Sequence, residues 1–525
     1  MQRLYYNGVI ITMENHAQPE AVLTENGTIA AIGDFHTLHA NAKNAELIDL
    51  QGKTMLPAFI DAHSHFSSYA TSFLQVSLEN CTSLDQIAQK IKAYIDENHV
   101  THGQWINGRG YDHNSLPGKK HPSLDFLNAC APNNPLILQH ASGHVGVFNS
   151  TALTALGITN ETPAPAGGKI GHENGALTGY MEENALITYL KKVPMADMNA
   201  MMSAFEKAQN AYASRGISTI QEGMAVGQLI ALYALLLSKN LLKLDVVAYV
   251  DMKDAQALFS AFPNSVDKYH QHFKLGGYKI FLDGSPQGRT AWMKTPYVGE
   301  TDYCGYGTMQ SDEVLAAVKL ASNSHRQLLA HCNGDAAAQQ YIDAIKAVSR
   351  ETEITKQRPV MIHAQFLAKD QLADVKALGI IPSFFVAHVY HWGDVHIANV
   401  GMARASQISL ARSALDCGIP FTFHQDAPVI EPNMLETISC AVNRITKNGV
   451  VLGASESIPV YEALKAVTIN AAYQYFEEDQ KGSIRVGKSA DFVILDQNPL
   501  TIPSMELQNI SVLATLKQDQ VLFSK

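Results

Sequence analysis

At 525 residues, with 46% apolar and 17% charged side chains, the chain is long enough to bury a large core and too apolar to be disordered. Its 39 basic residues against 49 acidic ones leave a formal charge of -10, and no basic cluster appears. This excludes the electrostatic footprint of a nucleic-acid or anionic-membrane binder.

Cys81, Cys130, Cys304, Cys332, Cys417 and Cys440 include no Cys-x-x-Cys pair, so they read as reduced, buried thiols. The opening residues lack the apolar stretch of a signal peptide, and no apolar run reaches membrane-spanning length. The expectation is a cytoplasmic protein with a small-molecule substrate and no nucleic-acid or membrane partner. A homodimer is compatible with this reading.

Residues 1–56 read as short strands at 9–13, 21–24 and 29–32, the last two flanking Glu25-Asn26-Gly27, a type I′ hairpin signal. The same texture returns at 482–496 and 511–516, so the two ends of the chain are expected to pair into one β-sandwich. Between them lies the apolar run Leu56-Pro57-Ala58-Phe59-Ile60-Asp61-Ala62-His63-Ser64-His65, read as a strand ending on two histidines. Strand alternation would turn His63 and His65 to one face.

Further strands are expected at 216–222, 244–250, 277–283, 327–331, 360–363, 380–385 and 420–426, alternating with helical patterns. Eight such strands predict an α/β fold, a (β/α)8 TIM barrel. Residues 66 to 216 are too many for a single crossover. They hold helical segments at 84–99 and 196–214 and strand-like ones at 104–107 and 136–139, and read as an α/β insertion after barrel strand 1. The predicted domains are a β-sandwich (1–56 and 476–525), a metallo-hydrolase barrel (57–70 and 211–475) and an inserted substrate lid (71–210).

In such barrels the functional residues stand at the C-terminal ends of different strands. Those ends carry His63 and His65, Lys279, His331, His363 and Asp426. Each alone has an ordinary explanation as a satisfied core histidine or a helix-capping aspartate. Six at equivalent places point to a metal centre.

The run ending at His65, Gly108-Arg109-Gly110-Tyr111-Asp112, Gly143-His144-Val145-Gly146-Val147-Phe148-Asn149-Ser150, Thr178-Gly179-Tyr180-Met181-Glu182 and Lys279-Ile280-Phe281-Leu282-Asp283-Gly284-Ser285 together resemble the amidohydrolase superfamily, in its N-substituted formamide deformylase-like branch. His331-Cys332-Asn333-Gly334-Asp335, His363-Ala364-Gln365 and Asp426-Ala427-Pro428-Val429 extend the match almost end to end. The chain departs from the branch's usual pattern at Tyr111, a tryptophan elsewhere, and at Gln425, a serine elsewhere.

The resemblance implies that the six strand-end residues bind one or two Zn2+ ions, with carbamylated Lys279 as bridging ligand if there are two. Neutral lysine that captures CO₂ becomes an anionic oxygen ligand, whereas an ammonium would be repelled by the cations. The expected reaction is hydrolysis of a carbon–nitrogen bond, an amide or N-formyl group, by metal-activated hydroxide with Asp426 as proton shuttle. Asp112, His144, Glu182 and Arg289 are the candidate substrate contacts. One rival is a mononuclear heterocycle deaminase, but such members place a glutamate shortly after the strand-five histidine, where this chain has Cys332-Asn333-Gly334-Asp335. A metal-free scaffold is the other rival, and this chain retains every ligand.

Overall fold

In the computed structural model, which describes residues 1–15, 18–142, 144–194 and 198–525, the apolar run that ends at His65 is divided between two sheets. Thr54–Pro57 pairs antiparallel with Phe492–Leu495 near the other end of the chain. Pro57 has no N–H with which to continue that ladder. Ala58 still donates to Asp491 O (2.9 Å), but Phe59 donates to Gly216 O (2.8 Å), and the chain has changed sheets within two residues.

By its contacts the chain falls into two units, residues 1–66 with 209–525, and residues 67–208. In the first unit a four-stranded sheet has the order Thr28–Gly33, Ala21–Glu25, Gln2–Tyr6, Glu46–Asp49. Its hairpin turns through Asn26 (φ 51°) and Gly27 (φ 81°), the two left-handed residues that a type I′ turn requires. A five-stranded sheet joins both chain ends in the order Val9–Ile10, Thr54–Pro57, Phe492–Leu495, Val512–Lys517, Gln520–Ser524. Tyr5, Val22, Ile29, Met55, Phe492 and Leu516 form a core common to the two sheets.

The larger sheet of this unit has eight parallel strands: β1 (Phe59–Ile60), β2 (Ile217–Ala225), β3 (Asp245–Asp251), β4 (Phe273–Phe281), β5 (Gln327–Cys332), β6 (Val360–His363), β7 (Ile381–Phe384) and β8 (Thr422–Phe423). Each pairs with the next in sequence, with crossover helices such as Ser311–Asn323 and Asp335–Val348 between them. Among the described residues β1 and β8 form no ladder. The closed barrel expected from sequence is a curled, TIM-like sheet whose end strands meet only past their ends, where Asp426 N donates to His63 O (3.1 Å) and His65 N to Ala427 O (2.9 Å). Ile60, Val247, Tyr249, Leu329, Ile362 and Ile381 fill its interior. No helix among the described residues is long and apolar enough to cross a membrane.

A buried ionic cluster ties the terminal strands to the large sheet. Lys481 and Lys517 both reach Asp245 on β3; Lys481 also contacts Glu477 (3.1 Å) and Lys517 lies 3.5 Å from Asp491. Burial works to raise the Asp245 carboxyl, but the two ammonium groups overcome it and hold it well below the usual carboxylate range. A depressed carboxyl contributes stability above its unfolded pKa and loses it as the pH falls through the folded value. Asp245→Ala takes the shared carboxylate from two buried lysines and leaves Lys481 to Glu477 and Lys517 to Asp491 alone, and the expected cost at neutral pH is about 3 kcal/mol in urea unfolding. A loss below about 1 kcal/mol, the scale of an exposed pair, would show that the cluster is solvated.

The second unit holds a six-stranded sheet in the order Gly168–Glu173, Ala176–Glu183, Val145–Phe148, Leu136–His140, Ile106–Tyr111, Gln75–Ser77. Leu136 and Leu138 join one apolar cluster and Ile137 the other, so helices cover both faces of this sheet. The strand expected at 104–107 begins at Ile106 and runs on to Tyr111. Of the helix expected at 196–214, Met198–Ser214 is seen; Ala196 and Asp197, like Gly143 of the glycine-histidine motif, lie outside the described residues.

Candidate metal centre

His63 and His65 meet, though not by strand alternation. β1 stops at Ile60, and His65 makes an isolated antiparallel bridge to Glu222 on β2. That bridge and the hydrogen bonds to residues 426 and 427 bring both rings to Asp426, whose Oδ1 lies 3.4 Å from His63 Nε2 and 3.3 Å from His65 Nε2. Those three ligand atoms all fall within 4.8 Å of one another, close enough to share one ion.

His363 closes β6 with φ 69° and Asp426 follows β8 with φ 56°, both in the left-handed region that L-residues rarely occupy. Such strain is tolerated where a side chain must be aimed. His363 Nε2 is 3.9 Å from Asp426 Oδ2, and its ring centroid is 4.6 Å from that of His331 on β5 and 5.7 Å from that of His63. Lys279, buried on β4, acts electrostatically on His63, His363 and Asp426. All six strand-end residues therefore belong to one neighbourhood.

Three of the imidazoles are held at Nδ1, which leaves Nε2 of His63 and His363 for the centre, while His331 Nε2 has the Asn333 amide 3.3 Å away. Gln221 Nε2 donates to Ala62 O (2.8 Å) and to the Tyr475 hydroxyl (3.0 Å), so its Oε1 accepts from His63 Nδ1 at 2.5 Å. Asp283 Oδ1 accepts from His331 Nδ1 (3.1 Å); the same carboxylate takes the backbone N–H groups of Trp292, Asn333 and Gly334, so it has little freedom to turn. His363 Nδ1 faces His424 Nε2 (3.1 Å), and His424 Nδ1 faces Ser383 Oγ (2.9 Å). Burial pushes His424 down to about 3 and His63 and His363 well below the usual imidazole value, so all three are neutral at neutral pH, the ligating form.

Among the buried polar atoms here that find no hydrogen-bond partner among the described residues are Lys279 Nζ and Asp426 Oδ1. Unsatisfied groups of this kind are costly, and a cation shared with neutral imidazoles is what this donor set fits. Burial pulls Lys279 down to about 7, with Asp426 and Cys332 working the other way. Burial works to raise Asp426, but His65, His424 and Lys279 together outweigh it and the carboxyl sits below its ordinary value.

The sequence reading missed Gln221, Asp283 and His424 as orienting groups. Asp283 stood in the quoted β4 motif, and His424 beside a noted departure, but their partners lie tens of residues away. Asp283→Asn is expected to weaken metal affinity roughly 10–100-fold, the usual effect of losing a partner that orients a ligating histidine. Competition with a chromogenic chelator measures this, and an unchanged affinity would remove Asp283 from the role.

The candidate substrate contacts are divided between the two units. Arg289 is braced within its own loop, donating to Val298 O (2.8 Å) and pairing with Glu300 (3.2 Å). Asp112, His144 and Glu182 belong to the 67–208 unit. There His144 is exposed and faces Glu183 (3.0 Å), Glu182 accepts from Tyr180 Oη, and Asp112 stands beside His113 and His140. The histidines after β7 lie on helix His388–Val400: His388 pairs with His396 (3.1 Å) and His391 with Glu436 (2.8 Å).

Fold and site together define an α/β protein with a TIM-like parallel sheet and a candidate metal centre at the strand ends. Residues 46–523 match the amidohydrolase family, and the chain belongs to it. It is 27% identical to YtcJ of Bacillus subtilis (strain 168), with 100% of both chains covered, and 27% identical to the N-substituted formamide deformylase of Arthrobacter pascens, over 94% of this chain and 93% of that one. The crystal structure of an uncharacterized metal-dependent hydrolase from Pyrococcus furiosus is similar in fold, with a TM-score of 0.78, 24% identity, and coverage of 95% of this chain and 100% of that one.

Proposed function

We propose that this protein is a zinc-dependent hydrolase of carbon–nitrogen bonds other than peptide bonds, acting on an amide or N-formyl group of a small, largely neutral molecule. The observation that carries the reading is the buried set of neutral imidazoles around Asp426 and Lys279, each of the latter with an unpartnered polar atom. Full-length similarity to a formamide deformylase supports the bond type.

His63, His65, His331, His363, Asp426 and carbamylated Lys279 would hold one or two ions. Zinc in such a site supplies Lewis acidity and makes water acidic enough to lose a proton near neutral pH. The Asp426 carboxylate, ionised at neutral pH, accepts the proton of the attacking water. Water oxygen bonds to the carbonyl carbon, the carbon–nitrogen bond breaks, and Asp426 returns the proton to the departing nitrogen. Gln221, Asp283 and His424 keep the imidazoles in register throughout.

The test is a panel of N-formyl, N-acyl and ring amides, offered to chelator-stripped and zinc-reloaded full-length protein. One or two zinc ions held by the strand-end residues, lost in the His63→Ala/His331→Ala variant, and zinc-restored turnover of one amide class are expected. Ammonia release from heterocyclic amines with no amide turned over would replace this reading by deamination.

A further inference from the structure

We propose that Asp112, His113 and His140 form a second metal site, carried wholly by the 67–208 unit, that takes a divalent first-row transition ion such as zinc. Strands Ile106–Tyr111 and Leu136–His140 run parallel, with a register shift that sets His140 beside Tyr111. The strand ends thus meet at one edge. Asp112 then caps a short 3₁₀ turn, His113–Ser115, which turns the His113 ring back toward His140.

The ligand atoms are spaced for coordination. His113 Nδ1 is 3.0 Å from His140 Nε2, and Asp112 Oδ1 is 3.5 Å from His140 Nε2 and 3.8 Å from His113 Nδ1. An ion with bonds of about 2.0–2.1 Å in tetrahedral geometry sets ligand atoms roughly 3.3–3.4 Å apart, inside the range of these three edges.

The surroundings suit the same role. The His140 side chain is 11% exposed and Asp112 44%, so the imidazole is sheltered and one side stays open to water as a further ligand. His121 stacks on His113 (ring centroids 4.2 Å apart), and Tyr111 and Tyr180 contact His121 in turn, which walls off the opposite side. His140 Nδ1 has both Ser142 Oγ (2.9 Å) and Ser142 N (3.0 Å) beside it. With an ion on Nε2, Nδ1–H donates to the hydroxyl; with a proton on Nε2, Nδ1 accepts the backbone N–H. Asp112 Oδ1 also accepts from Asn114 N (2.9 Å), which holds it in place.

The test separates this site from the one on the large sheet by using the full-length His63→Ala/His65→Ala variant. Stripped with chelator and titrated with Zn2+ by calorimetry and with Co2+ by visible absorption, it is expected to bind one ion per chain through residues 112, 113 and 140, beyond any ion that His331, His363 and Lys279 still hold. Adding His140→Ala should abolish that additional binding, and adding His113→Asn, which keeps a polar group at the turn, should weaken it 100-fold or more. An ion count that stays the same when His140→Ala is added to the double variant would overturn the proposal and leave a hydrogen-bonded cluster only. In otherwise wild-type protein, His140→Ala should lose one ion while the large-sheet centre keeps its own, so failure here is distinguishable from failure of the hydrolase reading.

Discussion

Asp426→Asn is expected to lower kcat by about 10²-fold or more at saturating zinc, the scale for loss of a positioned general base. Asparagine has the same shape and keeps one carbonyl oxygen as a weak ligand, but it cannot accept the proton of water. The geometry makes this a clean test. Asp426 is fixed by its left-handed backbone (φ 56°) and its N–H bond to His63 O (3.1 Å), so the amide should occupy the same place. The proposed base is also the residue whose Oδ1 sits 3.3–3.4 Å from two imidazoles with no hydrogen bond of its own. Metal content measured in parallel keeps the two roles apart. A near-normal kcat in the asparagine variant would exclude Asp426 as proton carrier.

Lys279→Ala is expected to abolish binuclear loading and with it most turnover. Lys279 is 1% exposed on β4, and its Nζ finds no hydrogen-bond partner among the described residues. An ammonium buried without a partner is disfavoured, and burial brings this one down to about 7. A large share of the side chain is then free amine at neutral pH, the form that adds to CO₂; one proton leaves as the carbamate forms, and a neutral side chain becomes an anionic one. Short-chain carboxylates added to the alanine variant should restore part of the metal content and activity by filling the same space. An alanine variant with both ions and full turnover would exclude the bridge and favour a single-ion centre.

Much of this architecture is legible in the sequence. The Asn26-Gly27 turn is written in local chemistry, because both residues tolerate positive φ where others do not. The parallel strands were visible as apolar runs between helical patterns, and β6 lies at residues 360–363 as expected. His331, His363 and Lys279 could be singled out because a polar group in or at the end of a buried run is costly unless it has work to do.

Sequence could not show which neighbour each segment would choose. The run through Pro57 looks like one strand, yet it serves two sheets because Ala58 and Phe59 find acceptors at Asp491 and Gly216, each more than 150 positions away. The orienting partners follow the same rule: Gln221 is 158 positions from His63, Asp283 is 48 from His331, and His424 is 61 from His363. Turns, strand-forming runs and the chemical inventory of the candidate centre follow from local sequence, since they depend on backbone preferences and burial costs that act within a few residues. The convergence of His63 and His65, the nitrogen each imidazole presents and the meeting of Asp112 and His113 with His140 came from the packing of the folded chain. Those outcomes depend on which strands lie side by side, and hydrogen bonds and coordination act over a few ångströms of space regardless of separation along the chain.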